Sequence, residues 1–354
     1  MKKEYCVAIL GATGAVGTRM IQQLEKSKVP VGELKLLASK KSAGMVRKVL
    51  GRNIAIQEAD ENSFDAVDIV LASAGGTVSK KLLPAAVNAG AVCIDNSSEW
   101  RLHDDVPLVV PEVNADELEK HHGIIGNPNC STIQMVVALE PIRRAFGVKK
   151  IVVSTYQAAG GAGQSAIDEL QAETSAYVLR EKMHPKILPT KFGAKHYPLA
   201  FNLLPQIDAF DENGYTKEEL KMIYETKKIL CGDKNSSDIN VTATCVRVPV
   251  MIGHGESVYF ETADSELKPP TANDIRELLR KSPGIVIQDD ISEQLYPQPL
   301  TAEGKTETFV GRIRVDLENP RAFNMWIVAD NLLKGAATNA VQIAEELIAR
   351  ELLQ

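Results

Sequence analysis

One segment near the start of the sequence restricts the fold more than any other. The apolar run Tyr5–Leu10 predicts a buried strand, and Gly-Ala-Thr-Gly-Ala-Val-Gly follows it at residues 11–17. Met20, Ile21 and Leu24 then recur at helical spacing. A strand, a Gly-x-x-Gly-x-x-Gly turn and a helix, in this order, can hold a dinucleotide pyrophosphate at the helix N-terminus. The same glycine spacing also occurs in plain tight turns, but its position between strand and helix favours dinucleotide binding.

Further strands and helices alternate after this segment. Apolar runs at residues 34–38, 66–72 and 91–95 predict strands, and residues 79–89 predict a helix. Strands that alternate with helices indicate a doubly wound parallel sheet, in which ligands gather at the carboxyl ends of the strands. The segments that follow two of these strands, 73–76 and 96–101, are therefore expected to face a cofactor crevice. Arg101 in the second segment is either an ordinary surface arginine or, in such a crevice, an anion ligand.

The end of the second strand predicts which dinucleotide is bound. An NAD-binding domain normally places a carboxylate there for the ribose 2′-hydroxyl, whereas this chain has Ser-Lys-Lys-Ser at residues 39–42. Hydroxyl and ammonium groups would bind a 2′-phosphate that a carboxylate would repel. The alternative is a solvated basic turn. We expect NADP rather than NAD.

Cys130 is the candidate nucleophile. It follows Gly-Asn-Pro-Asn at residues 126–129 and precedes a strongly apolar helical pattern at residues 133–139. A cysteine at a helix N-terminus is stabilised as the thiolate, the form that attacks carbonyl carbon. The alternative is a buried, inert cysteine.

Composition limits the class of protein. The 354 residues are 44% hydrophobic and 24% charged, which suits two domains with separate cores. A formal net charge of −6 gives no support for a nucleic-acid or anionic-membrane partner. Residues 1–4 lead straight into the first strand, so we expect neither a signal peptide nor a membrane span. Five widely separated cysteines, without metal-type spacing, predict free thiols in a reducing cytoplasm and no metal site.

A change of composition after the Cys130 helix marks a second domain. Residues 150–157 predict a strand, residues 158–163 form a glycine-rich turn, and a helix is expected over residues 164–181. Residues 183–205 predict a long loop. Thr216 resembles the N-cap of a helix that continues to residue 229 and carries Glu218 and Lys221, which from composition alone are a surface pair.

His254 stands between two glycines in a predicted loop. Strands are expected before it, over residues 239–250, and after it, over residues 258–262. A loop on a rigid scaffold is a common position for a catalytic group. An ordinary histidine pKa near working pH would suit proton transfer in both directions. Residues 311–316 and 322–329 predict a further strand pair, and residues 332–352 an amphipathic closing helix that returns to the first domain.

Together these motifs resemble the aspartate-β-semialdehyde dehydrogenase family. The resemblance runs along nearly the whole chain, and the ordered set is specific where a single glycine-rich loop is not. The matching segments are residues 11–17, Asn-Ser-Ser-Glu-Trp-Arg at 96–101, Asn-Pro-Asn-Cys-Ser-Thr at 127–132, Thr-Tyr-Gln-Ala at 155–158, Glu-Glu-Leu-Lys at 218–221, Arg247 with His254, and Asp-Asn-Leu at 330–332.

The resemblance implies an α/β fold, a Rossmann-like NADP-binding domain with an inserted α+β catalytic and dimerisation domain. The first would comprise residues 1–129 plus 330–354, and the second residues 130–329. The implied reaction is the NADPH-dependent reductive dephosphorylation of β-aspartyl phosphate to aspartate-β-semialdehyde through a cysteine thioester. It belongs to lysine, methionine, threonine and diaminopimelate biosynthesis. The implied assembly is a homodimer that binds the semialdehyde, the acyl phosphate and phosphate.

Motif matches also imply residue roles. Cys130 would be the nucleophile, His254 the general acid/base, and Gln157 would orient the substrate. Arg247 would hold the substrate α-carboxylate and Glu218 its α-ammonium group. The implied phosphate ligands are Arg101, Lys221 and Asn129. The implied cofactor-binding residues are Gly11, Thr13, Gly14, Ala15, Val16, Ser39, Lys41, Ser42, Ser73, Gly75, Gly76, Gly160, Gly161 and Asn331.

Two positions depart from the family pattern, and two other functions remain open. Gly160 stands where a serine is usual, so one hydroxyl near the nicotinamide is missing. Lys41 stands where an arginine is common, which removes a bidentate contact to the 2′-phosphate. N-acetyl-γ-glutamyl-phosphate reductase uses the same chemistry on a substrate without a free ammonium group, so Glu218 is the discriminating residue. A catalytically silent relative would act as a binding protein.

Overall fold

The chain divides into two units in the computed structural model, which describes residues 4–190, 193–264 and 268–353. The first unit comprises Met1–Asn129 and Ala336–Gln354, and the second comprises Cys130–Gly335. Across the described residues, every helix is too short or too polar to span a bilayer.

The first unit contains a twisted, mostly parallel sheet. Its strands are β1 Tyr5–Leu10, β2 Val31–Ala38, β3 Val46–Val49, β4 Arg52–Glu58, β5 Ile69–Ala72, β6 Val92–Asp95 and β7 Ile124–Gly126. Within the described residues the order is β3-β4-β2-β1-β5-β6-β7, and only β3 runs antiparallel to its neighbour. The predicted doubly wound sheet is confirmed. The edge hairpin of β3 and β4 escaped prediction because its side chains are mostly exposed and polar.

Helices α1 Ala15–Leu24 and α2 Gly76–Asn88 pack on this sheet where the pattern predicts helices. The single turn α3 Pro111–Asn114 was not predicted. Met20, Ile21 and Leu24 of α1 are buried, as their helical spacing predicts. The strand predicted over residues 66–72 begins only at Ile69. Ala66 adopts a left-handed conformation (φ 58°), which interrupts the extended chain before it.

The second unit contains a mixed sheet. Its strands are β8 Lys150–Gln157, β9 Asn240–Arg247, β10 His254–Glu261, β11 Ile285–Ile287, β12 Thr308–Val315 and β13 Ala322–Ala329. Among the described residues the order is β11-β12-β13-β10-β8-β9. Strands β8 and β9 are parallel, whereas β10 is antiparallel to both β8 and β13. The carboxyl ends of β8 and β9 therefore meet the start of β10.

Helices cover one face of this second sheet. The unit contains α4 Cys130–Phe146, α5 Gln164–Val178, α6 Lys217–Cys231, α7 Ala272–Arg280 and α8 Pro299–Ala302. Helix α4 packs against α6 and β13, and α6 packs against β9. On the opposite face Tyr156 is exposed and Trp326 is half-buried, with their rings 5.4 Å apart. One face of the sheet thus forms the core of the unit, and the other carries uncovered aromatic side chains.

The end of the chain returns to the first unit. After a π-helical turn, Leu333–Ala337, helix α9 spans Thr338–Ala349. Its apolar residues Ala340, Ile343 and Leu347 are buried in the same core cluster as Ile9 and Met20. The core of the first unit is therefore built from both ends of the sequence.

The capping box at the start of α6 generates a stability prediction. Thr216 Oγ1 accepts a hydrogen bond from Glu219 N–H, and the Glu219 carboxylate accepts one from Thr216 N–H. Thr216→Val removes the hydroxyl and is expected to lower the free energy of unfolding by about 1 kcal/mol, measured by urea denaturation. Thr226→Val is the matched control, because the buried Thr226 hydroxyl on the same helix has no hydrogen-bond partner among the described residues. An equal loss in both variants would contradict the capping role.

Candidate active site

Cys130 is the first residue of α4. Its side chain is half-buried, while the next ten residues of the helix are buried. Gly335 allows a close approach of the π-helical turn, since a β-carbon there would lie 2.8 Å from Cys130 Cβ. The helix N-terminus places Cys130 where the backbone N–H groups stabilise a thiolate.

Gln157 and Arg247 lie side by side. They are the last residues of the parallel strands β8 and β9 and are paired in register, so their side chains lie on the same face of the sheet. Both are buried. Arg247 Nη1 donates a hydrogen bond of 2.8 Å to Ala158 O. Burial lowers the pKa of Arg247, and the negative charges of Glu218 and Cys130 act in the opposite direction.

A hydrogen-bond network holds the Gln157 amide. Thr155 Oγ1 donates to Gln157 Oε1 at 2.9 Å, and Gln157 Nε2 donates to Glu218 Oε1 at 3.0 Å. The other Glu218 oxygen lies 3.1 Å from Lys221 Nζ, which also lies 3.1 Å from Asp208 Oδ2. Glu218 is buried, so the alternative of an exposed surface pair is wrong. No sequence pattern pointed to Asp208, which lies thirteen positions from Lys221 in an irregular segment.

The loop position predicted for His254 is wrong. His254 is the first residue of β10 and pairs in register with Ala329 of β13. Gly253, in a left-handed conformation (φ 94°), ends the turn before the strand starts. His254 is completely buried. Its Nδ1 accepts a hydrogen bond of 3.0 Å from Ala158 N–H, and Nε2 has no partner among the described residues.

The expectation of an ordinary pKa for His254 is also wrong. Burial and the nearby positive charge of Arg247 lower the pKa of His254 to about 3. The imidazole is therefore neutral at neutral pH.

Ala158 connects two of the charged or titratable groups of this cluster, His254 and Arg247. Its N–H donates to His254, and its carbonyl oxygen accepts from Arg247. Sequence reasoning missed this role because only backbone groups are used, and residue type gives no signal for them. The structure thus gathers Gln157, Arg247, His254 and Glu218 around the end of β8.

The glycine-rich turn after β8 packs closely on its surroundings. A β-carbon on Gly160 would lie 2.7 Å from Met251 O, so this chain has no room for the usual serine without a backbone shift. A β-carbon on Gly161 would lie 2.8 Å from Arg247 Nη1. Asn331 Oδ1 accepts from Gly253 N–H at 2.8 Å, and its Nδ2 has no partner in the described part of the chain. Asn331 therefore fixes the turn that precedes His254.

The glycine-rich loop of the first unit fits a dinucleotide. Gly11 is left-handed (φ 88°), and a β-carbon there would lie 2.8 Å from Ser73 O. Helices α1 and α2 begin after Gly14 and Gly75, neither of which can cap the helix with a side chain. Their first N–H groups are left for a phosphate. The Ser73 hydroxyl is buried without a partner among the described residues, which also suits a bound group.

The remaining predicted ligands lie in the same unit. Thr13 Oγ1, in the loop after β1, lies 3.4 Å from Ser42 Oγ, in the turn that follows β2. Ser39 and Lys41 are exposed in this turn. Arg101 is buried, and its Nη2 donates to Asn96 O at 2.9 Å. Asn129, also buried, directly precedes α4.

Comparison with known proteins gives matches over most of the chain. Residues 6–121 match the family model described as semialdehyde dehydrogenase, NAD binding domain. Residues 139–334 match the model described as semialdehyde dehydrogenase, dimerisation domain.

Two similar curated proteins are both named aspartate-semialdehyde dehydrogenase. The aspartate-semialdehyde dehydrogenase of Bacillus subtilis (strain 168) is 53% identical over 347 residues, which cover 98% of each chain. That of Aquifex aeolicus (strain VF5) is 50% identical over 354 residues and 99% of each chain. The crystal structure of aspartate semialdehyde dehydrogenase II from Vibrio cholerae complexed with ASA has a TM-score of 0.91 at 44% identity. That match covers 98% of this chain and 99% of that one. The Candida albicans enzyme with NADP has a TM-score of 0.75 at 26% identity, over 99% of this chain and 100% of that one.

The burial of His254 predicts a pH dependence of stability. The unfolded histidine has a pKa of about 6.5. Since the folded pKa is lower, the stabilisation is complete above pH 6.5 and is lost as the pH falls toward 3. Between pH 7.5 and 5.0 the wild type should lose roughly 2 kcal/mol more unfolding free energy than His254→Gln, measured by urea denaturation. His122→Gln, at an exposed position, controls for the loss of one histidine. Equal losses in wild type and His254→Gln would contradict the burial of a neutral imidazole.

The contact of Gly160 with Met251 predicts that the usual family residue is harmful here. Gly160→Ser should lower the melting temperature and kcat, because the new β-carbon displaces a backbone oxygen at a cost of about 1–3 kcal/mol. Ala162→Ser, in the same turn, adds a hydroxyl at a half-buried position and serves as the control. Thermal unfolding and steady-state kinetics measure both. A Gly160→Ser variant as stable and active as the wild type would show that the turn relaxes freely.

Proposed function

This chain belongs to the aspartate-semialdehyde dehydrogenase family, and from that membership we propose that it reduces β-aspartyl phosphate to aspartate-β-semialdehyde with NADPH. It is an oxidoreductase of amino-acid biosynthesis. The observation that supports this function most is the cluster at the end of β8. There Ala158 holds both Arg247 and His254, and Gln157 is held by Glu218.

The charges of the cluster match those of the substrate. β-Aspartyl phosphate carries an α-carboxylate, an α-ammonium and a phosphate group. The planar guanidinium of Arg247 suits the carboxylate, because its fork matches the two oxygens. Glu218 supplies the buried negative charge for the ammonium group. Arg101, Asn129 and Lys221 are the phosphate ligands.

Cys130 performs the covalent chemistry. Its thiolate attacks the acyl carbon, and phosphate leaves with the electron pair of the broken C–O bond, so that a thioester remains. Bound NADPH supplies the hydride that reduces this thioester. Collapse of the hemithioacetal releases the aldehyde and regenerates the thiolate. Gln157, fixed by Thr155 and Glu218, orients the substrate.

Most of the residues proposed for the cofactor are glycines or carry a short polar side chain. At the end of β2, hydroxyl and ammonium groups replace the carboxylate that would exclude a 2′-phosphate. The proposed residues are Gly11, Thr13, Gly14, Ala15, Val16, Ser39, Lys41, Ser42, Ser73, Gly75, Gly76, Gly160, Gly161 and Asn331. The first unit accordingly binds NADP, and the second carries catalysis.

The match to a dimerisation domain supports a homodimer. The uncovered face of the second sheet, which carries Tyr156 and Trp326, is the proposed contact surface, since aromatic side chains are enriched at interfaces. All five cysteines are free thiols, which supports a cytoplasmic location.

The acetylated substrate of N-acetyl-γ-glutamyl-phosphate reductase is not favoured. The similar curated proteins are aspartate-semialdehyde dehydrogenases. Glu218 is buried and negatively charged, and an acetylated nitrogen offers no cation to it.

A direct assay tests the proposed function. With NADP and phosphate, the purified protein should oxidise aspartate-β-semialdehyde, monitored by NADPH absorbance. N-acetylglutamate semialdehyde should react at least a hundredfold more slowly in kcat/KM. A preference for the acetylated substrate, or no activity with either, would refute the assignment.

The thioester step predicts the effect of removing Cys130. Cys130→Ala should lower kcat more than a thousandfold, about 4 kcal/mol, while NADPH still binds. Mass spectrometry of acid-quenched wild type should find an acyl adduct on Cys130. Cys231→Ala is the control for the loss of a half-buried thiol in the same unit. Residual activity above a thousandth would argue against covalent catalysis at this position.

The carboxylate contact predicts a specific effect at Arg247. Arg247→Lys keeps the charge but loses the fork and the bond to Ala158 O, so KM for the semialdehyde should rise at least tenfold. Arg144→Lys, on the exposed side of α4, is the control. An unchanged KM would reject the role of Arg247 in binding the carboxylate.

A further inference from the structure

Glu219 is a buried carboxylate that joins two backbone segments of the second unit. Its Oε2 accepts a hydrogen bond of 2.7 Å from Thr216 N–H, at the start of α6. Its Oε1 accepts one of 3.0 Å from Cys245 N–H, in β9. Only 8% of Glu219 is exposed. The side chain is thus a short bridge between helix α6 and strand β9, with a backbone N–H group at each end.

One end of this bridge lies on the outer edge of the second sheet. Strand β9 is the last strand in the sheet order of the described residues. An edge strand has backbone groups without a partner in the sheet. Glu219 accepts from one of them, Cys245 N–H, and Leu204 O accepts from Arg247 N–H at 2.8 Å. The outer edge of β9 is therefore fixed at Arg247 and two residues before it.

The residues beside the two ends of the bridge carry the proposed substrate contacts. Glu218, which adjoins Glu219 on α6, is the proposed partner of the α-ammonium group. Arg247 is the proposed partner of the α-carboxylate, and it lies on the same face of β9 as Cys245, since side chains two positions apart in a strand point the same way. In the substrate the ammonium and carboxylate groups are bonded to one carbon, so their separation is fixed. The substrate therefore cannot adapt to a changed distance between Glu218 and Arg247.

We propose that Glu219 is a positioning residue that sets the spacing of Glu218 and Arg247, and with it the selectivity of the site for an α-amino acid group. This inference rests on the proposed function. Glu219 binds two backbone N–H groups and acts on the substrate only through its neighbours. Misplacement of a binding group by about 1 Å can cost about a hundredfold in rate, so a small shift of α6 relative to β9 has a measurable effect.

The bridge requires a carboxylate on a side chain of this length. Both partners are N–H donors, and a carboxylate offers an acceptor oxygen to each. A glutamine offers one oxygen, and its NH₂ group would face the second N–H, donor against donor. An aspartate is one methylene shorter, so its carboxylate does not reach both partners. Each hydrogen bond to a charged acceptor is also stronger than one to a neutral acceptor.

Kinetic selectivity tests the proposal. Succinate semialdehyde is aspartate-β-semialdehyde without the ammonium group, so the ratio of kcat/KM for the two substrates measures recognition of that group. The wild type should favour aspartate-β-semialdehyde by roughly a hundredfold or more. Glu219→Gln should lower this ratio by roughly tenfold or more, chiefly through a higher KM for aspartate-β-semialdehyde, with NADP binding unchanged. Glu219→Asp, which keeps the charge, should have the same effect.

Thr216→Val is the matched control. It removes the other side-chain bond of the capping box but leaves the contact of Glu219 with Cys245 N–H intact. It should keep the wild-type ratio to within about twofold. Urea denaturation of each variant separates loss of stability from loss of selectivity, and Glu219→Asp decides if Glu219→Gln does not fold.

Two results would overturn the positioning role of Glu219. One is a wild-type ratio in a folded Glu219 variant, and the other is an equal fall of the ratio in Thr216→Val. A wild-type protein without activity on aspartate-β-semialdehyde would instead refute the proposed function, so the two failures are distinguishable.

Discussion

The backbone of one residue, Ala158, holds two side chains of the candidate site in place. Ala158 follows β8 directly, so its N–H and carbonyl oxygen are oriented by the sheet rather than by a side chain. The N–H binds His254 and the oxygen binds Arg247, which belong to two different strands. Because backbone groups carry no rotamer freedom, both side chains are held with little loss of conformational entropy on ligand binding.

Burial influences the charge states of the site side chains. Arg247, Glu218 and His254 are removed from water, where an unpaired charge is costly. The chain compensates by pairing Glu218 with Gln157 and Lys221 and by leaving the imidazole neutral. The result is a buried cation, Arg247, and a buried anion, Glu218, at fixed positions, with a neutral imidazole beside Arg247. Such an arrangement discriminates substrates by charge pattern as well as by shape.

The sequence predicted the regular elements and the side chains that carry chemistry. Apolar runs predicted β1 and β8 with the bounds observed, helical spacing predicted α1 without bounds, and motif matches identified Cys130 and Arg247 as candidates. Prediction from the sequence failed where a contact is made by backbone groups, and where burial sets the pKa of a side chain. Ala158 acts through its backbone, and the pKa of His254 depends on burial that no local pattern reveals. The glycines beside His254 suggested a loop, but cross-strand pairing with Ala329 extended the strand to this residue.

The shared core of the first unit has a consequence for synthesis. Ile343 and Leu347, near the end of the chain, pack in one cluster with Ile9 and Met20 near its start. The ribosome therefore synthesises all of Cys130–Gly335 before α9 leaves the exit tunnel. Until α9 emerges, the sheet of the first unit retains an apolar surface that α9 covers in the folded unit. The nascent protein thus has a long interval in which chaperone binding to that surface competes with aggregation.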